Sequence, residues 1–259
     1  MKVFFELGNS QIKSAILVHG CYEYLGSIPN QSVLDETLLH EFQLDTLDVE
    51  GVYLSSVASA QMNSLFIQHL QNIFGCYPTL LTTQHLTAGI ECGYRDFEQL
   101  GVDRWMAVIG GAAHNAKPVL IVDAGTALTV DAVVDKKHLG GFIVPGLGLM
   151  RQTLLDQTAR LKQASQQTDA AEAPKEGLLA QDTQHGVMGG TLYMASAYIN
   201  QLVCDLEQET GRQFDCLGTG GDFLQLAPML DKPFTYVEDL TLLGMVEVIA
   251  LGSDWQIKK

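Results

Sequence analysis

The chain has 259 residues, 15 Lys+Arg against 30 Asp+Glu, and a formal charge of −15 at pH 7. Its 47% apolar content is enough to fill a core, which excludes a disordered acidic tail. The densest basic pairs are Lys136-Lys137 and Lys258-Lys259, too few to grip a phosphate backbone, so a nucleic-acid partner is excluded while a small anionic substrate stays open.

The length fits two modest domains or one large one. Met1–Phe5 runs into Glu6 too early for a secretion signal, and the longest apolar stretches fall short of the roughly 20 residues of a membrane span. Five scattered cysteines without a CxxC pair read as reduced thiols, and the expected location is cytoplasmic.

In chain order, Lys2–Leu7 and Ile12–Val18 are apolar, β-prone runs around the turn Gly8-Asn9-Ser10, and Cys21–Ser27 is a third strand. Ser32–Phe42 has helical spacing, Val52–Ser55 reads as a buried strand and Gln61–Phe74 as a helix. Val102–Asn115 is apolar on nearly every face, as a buried helix would be. The pattern then restarts with strand Val119–Val122, turn Asp123–Thr126 and strand Ala127–Val134. A glycine-proline loop is expected over Gly140–Gly148, then helix Met150–Leu161 and a surface connection rich in Gln, Ala and Thr over Gln163–Gly177. Helix Gly189–Glu209, strands Phe214–Leu217 and Phe234–Val237, and helix Leu240–Leu251 complete the reading. Residues 3–10 and 120–127 share one grammar: apolar strand, carboxylate, spacer, glycine, small polar residue. Two such hairpins suggest a duplicated unit.

These turns could carry chemistry. Glycine lets backbone N–H groups approach an anion, and a strand-end carboxylate can hold a cation or its waters. Lys13 can lie near the first turn as a phosphate counter-charge. In Gly101-Val102-Asp103-Arg104, Asp103 is either a helix-start anion or a base for a substrate hydroxyl, and Arg104 either a solvated charge or an anion binder. A helix start and an adjacent arginine would keep Asp103 ionised. Gly218-Thr219-Gly220-Gly221-Asp222 follows a strand and opens a helix, as a nucleotide-contact turn would, but without dinucleotide-fingerprint spacing. There is no GxxxxGK[ST], HExxH or GxSxG.

Taken together, the segments resemble the type III pantothenate kinase family, of the acetate and sugar kinase/Hsp70/actin superfamily. Glu6-Leu7-Gly8-Asn9-Ser10-Gln11-Ile12-Lys13 is similar to its first phosphate motif, Tyr94 with Gly101-Val102-Asp103-Arg104-Trp105 to its substrate motif, and Asp123–Asp131 to its second phosphate motif. The loop at 140–146 and Thr219-Gly220-Gly221 follow in the same order. The resemblance implies an α/β fold of two duplicated actin-like (ribonuclease H-like) domains, 1–116 and 117–259, with an interdomain cleft. It implies ATP-dependent phosphorylation of pantothenate, the first step of coenzyme A biosynthesis. Asp103 would be the general base; Tyr94, Gly101, Val102, Asp103, Arg104 and Thr183 would bind pantothenate. Glu6, Leu7, Gly8, Asn9, Ser10, Gln11, Ile12, Lys13 and Thr126 would contact ATP. Asp123 would bind a monovalent cation, K+ or NH4+, beside Mg2+, and the partner would be a second copy in a homodimer.

One departure matters: the family's first motif begins with Asp, and this chain has Glu6. The extra methylene moves the carboxylate out by about 1.3–1.5 Å, enough to matter near reacting groups. An active enzyme with altered metal preference or modest turnover is expected. A catalytically weak regulatory or accessory homologue is the alternative that Glu6 favours, and a kinase for another small acceptor is a third.

Overall fold

The computed structural model describes residues 1–30, 42, 44, 49–113, 115–158, 178–250 and 256–257. Two compact units form, neither continuous in sequence: Met1–Val119 with Asp131–Gly140 and Asp239–Lys259, and Leu120–Val130 with Gly141–Glu238.

In the first unit, β1 (Lys2–Leu7), β2 (Gln11–Val18) and β3 (Cys21–Pro29) form an antiparallel meander. β4 (Gly51–Ser56) pairs parallel to β1, and β5 (Thr79–Leu80) parallel to β4. With β13 (Gln256–Ile257) at the far edge, the order is β13-β3-β2-β1-β4-β5. Alternation along β1 sorts its two faces. Val3, Phe5 and Leu7 join Val52, Leu54, Phe66 and Leu70 in a core that includes helix α1 (Ala60–Phe74). That helix starts where Ser59 Oγ accepts the Met62 N–H and stops at Gly75, whose φ of 68° is the left-handed cap glycine favours.

Phe4 and Glu6 point the other way. On that side are α2 (Val102–Ala112) and the helix over Leu240–Ile249, which meet almost backbone to backbone. A Cβ on Gly244 would lie 1.8 Å from Met106 O, and one on Gly110 2.4 Å from Leu240 O. Only glycine permits this approach.

The second sheet is built from β6 (Leu86–Thr87), β7 (Ile90–Glu91), β8 (Val119–Ala124), β9 (Ala127–Val134), β10 (Lys137–Pro145), β11 (Asp215–Thr219) and β12 (Phe234–Tyr236). Its order is β12-β11-β8-β9-β10-β7-β6. The run β10-β9-β8-β11-β12 repeats β3-β2-β1-β4-β5 strand for strand, so the echo between residues 3–10 and 120–127 is repeated in the topology. The remaining helices are α3 (Leu147–Gln157), α4 (Thr183–Thr210), the single turn α5 (Phe223–Leu226) and α6 (Leu240–Ile249).

Most predicted elements agree to within a few residues, but the loop expected over Gly140–Gly148 is wrong. Residues 137–145 are strand, and helix begins at Leu147. The reversal lies earlier, at Asp135 and Lys136, both with positive φ (50° and 63°). Strands β5, β6 and β7, two residues each, are too short to show a period. The helical reading of Ser32–Phe42 falls almost wholly, and that of Gln163–Gly177 wholly, outside the described residues.

Candidate functional site

The first turn is open. Gly8 N–H donates to Gln11 O at 2.9 Å, and Asn9, Ser10 and Gln11 are exposed. Leu7 and Ile12 are fully buried, so only their backbones can meet a ligand. Asn30 steadies the turn by donating from Nδ2 to Asn9 O (2.6 Å) and from its amide to Ser10 O (3.0 Å). Glu6 and Lys13 face each other across the β1–β2 ladder, with Nζ 3.7 Å from Oε2. Burial pushes the Glu6 carboxyl above the ordinary range; Lys13 opposes the shift, and the charge of Asp103 adds to it. A hydrogen bond with Thr241 also favours the ionised form. Glu6 therefore sits among groups from β2, α2 and α6, with Tyr22 and Asp239 joined beside it by a 2.5 Å hydrogen bond.

Asp103 occupies the first turn of α2, where its Oδ1 accepts the Arg104 N–H at 2.8 Å. A Cβ on Gly101 would come within 2.6 Å of that Oδ1, so the residue before the helix leaves the carboxylate its room. Helix start and arginine do favour the ionised carboxylate, but they do not set its pKa alone. Burial outweighs the Arg104 amide and guanidinium and pushes the carboxyl up, and Asp131 adds to the rise.

Arg104 is not a solvated charge. It is 7% exposed and bidentate to Asp131, with Nε on Oδ2 at 2.9 Å and Nη2 on Oδ1 at 2.6 Å. Its third edge, Nη1, donates to the Tyr94 hydroxyl at 3.0 Å, and the guanidinium carbon lies 5.7 Å from the Tyr94 ring centre. His138, fully buried, contacts Asp131 Oδ1 through Nε2 at 2.9 Å and stacks on Tyr94. A carboxylate only accepts, so Nε2 carries the proton. A Cβ on Gly93 would sit 1.9 Å from His138 O, which ties the residue before Tyr94 closely to β10. Tyr94, Gly101, Val102, Asp103 and Arg104 thus come together in the first unit, with Glu6 and Lys13 in electrostatic reach of Asp103 through Glu6.

The second turn belongs to the other unit and is tightly enclosed. Gly125 N–H donates to Ala127 O, Gly146 N–H to Thr126 O (both 3.0 Å) and Asp222 N–H to Ala124 O (2.9 Å). A Cβ on Gly146 would lie 2.1 Å from Gly125 O; one on Gly220, whose φ is 88°, would lie 2.5 Å from both Ala124 O and Asp123 Oδ1. The three glycine segments read separately in the sequence therefore meet around Asp123 and exposed Thr126. This backbone cradle beside a carboxylate suits a cation that completes its shell with phosphate oxygens and water. Among the described residues no three His, Cys, Asp or Glu side chains cluster as a metal site. Thr183 lies in the same unit, exposed on the first turn of α4, which Asp182 caps by accepting the His185 N–H at 2.9 Å.

Asp131 carried a signal, as the last residue of the second phosphate motif, but not its partner. His138, Asp239 and Thr241 carried none.

A family model described as type III pantothenate kinase matches residues 2–205. A type III pantothenate kinase of Hydrogenovibrio crunogenus is 57% identical over 249 residues, covering 96% of this chain and 99% of the relative. One of Nitrosococcus oceani is 31% identical, covering 96% and 93%. Among solved structures, a Campylobacter jejuni protein named as a Baf family transcriptional activator (20% identity, TM-score 0.56, covering 95% and 96%) is similar in fold. So is a Sinorhizobium meliloti protein named as a 2-dehydro-3-deoxygalactonokinase (12%, TM-score 0.56, covering 96% and 99%). Both share the two-sheet α/β fold. From the family match and these identities, the chain belongs to the type III pantothenate kinase family.

Proposed function

We infer that the chain catalyses its family's reaction, ATP-dependent phosphorylation of pantothenate to 4′-phosphopantothenate, the first step of coenzyme A biosynthesis, with Asp103 as the base. The observation that carries the assignment of residues is the cluster of Asp103, Arg104 and Tyr94 at the start of α2, a carboxylate next to an arginine and a phenol. Pantothenate is an anion with a primary hydroxyl. Arg104 and Tyr94 bind its carboxylate, Gly101 and Val102 shape the approach, and Thr183 adds a hydroxyl contact. Asp103 takes the hydroxyl proton as that oxygen attacks the γ-phosphorus, the P–O bond to ADP breaks, and ADP leaves with the bond's electrons.

Phosphoryl transfer through a loose transition state needs mainly positioning and charge neutralisation. The exposed backbone of residues 8–11, with Glu6 and Lys13, and the turn at Thr126 bind ATP phosphates. Asp123 holds a monovalent cation, K+ or NH4+; Mg2+ travels with the nucleotide, and these cations neutralise phosphate charge when bound. A raised Asp103 suits a base acting near neutral pH, and kcat/KM for pantothenate falls toward acid with a midpoint above 3.8, the ordinary Asp value.

The chain works as a homodimer in the cytoplasm. Apolar side chains left exposed on α3 (Leu149, Leu154) and α4 (Met188, Tyr193, Met194) support a partner copy. As a division by descent, we retain 1–116 and 117–259 as the duplicated halves.

The test is ADP release coupled to a readout dye, with pantothenate, ATP and Mg2+, with and without K+, and with Asp103→Asn as control. Pantothenate-dependent turnover that Asp103→Asn lowers by about 1,000-fold or more is expected. Pantothenate binding without turnover under every cation condition would point to the regulatory alternative instead.

A further inference from the structure

Arg104 is the cation assigned to the substrate carboxylate, yet most of its guanidinium is committed elsewhere. Two of its three nitrogens grip Asp131, which is itself 3% exposed and also receives His138. Arginine has four rotatable side-chain bonds, and a bidentate carboxylate at one edge fixes the plane and direction of the other. The edge left over is Nη1, beside the Tyr94 hydroxyl.

The same hairpin holds α2 again at its far end. Lys136, in the β9–β10 turn, donates from Nζ to Ala112 O (2.6 Å) and Ala113 O (2.7 Å), the carbonyls that end the helix. Residues 131–138 thus grip α2 near both termini, and all belong to one compact unit.

We propose that Asp131 is the positioning residue for the substrate-binding arginine. Supported by His138, it aims Arg104 so that Nη1 and the Tyr94 hydroxyl present paired donors to the acceptor's carboxylate, and preference for an anionic acceptor depends on a residue that does not touch it. This rests on the reading of Arg104 as the pantothenate-binding cation.

A simple field argument makes the opposite prediction. Asp131 is negative, so neutralising it would leave Arg104 less compensated and draw an anion in more tightly. Positioning predicts weaker binding, because a guanidinium with one partner weakened is no longer aimed. Asp131→Asn in the full chain separates the two. Calorimetric titration of pantothenate should show Kd weakened by about tenfold or more. The ratio of kcat/KM for pantothenate to that for pantothenyl alcohol, which lacks the carboxylate, should fall by about tenfold, a comparison in which any effect of Asp131 on Asp103 cancels. A Kd that is unchanged or tighter overturns the proposal, as does equal loss on both acceptors. If Asp131→Asn does not fold by circular dichroism, His138→Gln decides: a selectivity for pantothenate over the alcohol reduced by about threefold supports the role, and an unaltered ratio removes it. Absence of wild-type turnover would count against the activity, while the binding titration would still decide the role of Asp131.

Discussion

The two carboxylate-x-glycine turns share one pattern and are packed in opposite ways. At the first, a fully buried Leu7 and Ile12 end the strands, three exposed residues arch between them, and nothing presses on Gly8 harder than Gln11 O, 3.2 Å from where a Cβ would stand. At the second, the turn is shorter and the backbones of Gly146 and Gly220 lie against it at distances no side chain could share. The strand before the open turn carries the longer carboxylate, Glu6, whose side chain is itself buried among groups from β2, α2 and α6. The strand before the enclosed turn carries Asp123, against which a Cβ on Gly220 would press at 2.5 Å. The contrast therefore lies in the turn backbones, and it should show in how each turn tolerates a side chain at its glycine.

The largest effect should come from adding one methyl group on each side. Gly220→Ala forces a strained φ and a clash with Ala124 and Asp123, and kcat/KM for ATP should fall by about 100-fold or more. Gly8→Ala should cost less, about tenfold at most, because a Cβ there meets one backbone oxygen at 3.2 Å and no strained φ. Equal losses at both positions would erase the contrast.

Glu6→Asp sharpens it further. If Glu6 is a tolerated compromise, kcat/KM for pantothenate should hold or rise by about threefold, with the ratio of Mg2+ to Mn2+ activity altered. A fall in that constant would make Glu6 the optimum for this chain.

A smaller effect concerns stability. Burial raises the Glu6 pKa on folding, so between 4.5 and that raised value the native state binds more protons than the unfolded one, and stability declines as pH rises. Glu6→Gln should therefore melt higher than wild type at pH 7.5, by calorimetry, and the difference should vanish below pH 4.5, where Glu6 is protonated in both states. Smallest of all, Lys136→Met removes the charged cap on α2 and should lower stability by about 1 kcal/mol, read from urea unfolding.

How much was legible follows from what each signal needs. Strands β1, β2, β8 and β9 were read within a residue or two because apolar runs bounded by turns are local patterns. The two glycine turns and the Asp103 helix start were legible as local patterns for the same reason, while their roles toward ATP and pantothenate are proposals. Long-range partners were not: Asp131 meets Arg104 across 27 positions of chain, and Tyr22 reaches Asp239 across 217. Glycines misled in one place. Gly140 and Gly141 read as chain breakers, although they lie within a paired strand, and the true reversal used Asp135 and Lys136, neither a residue that favours positive φ as glycine does. That Asp103 is pushed up rather than held down could not be foreseen, because it depends on burial and on Asp131.

Helix α6 returns from the far end of the chain to lie on the unit begun by β1, seated on α2 through Gly110 and Gly244. A ribosome releasing residues 1–119 would therefore release an unfinished layer, with the apolar side of α2 still waiting for its cover. The first unit can close only after the second has been synthesised, so the chain's assembly has to proceed by long-range return rather than domain by domain. Arresting translation just before residue 239 should leave a nascent chain that protease cuts within 102–112, a site protected once ten more helical residues have emerged.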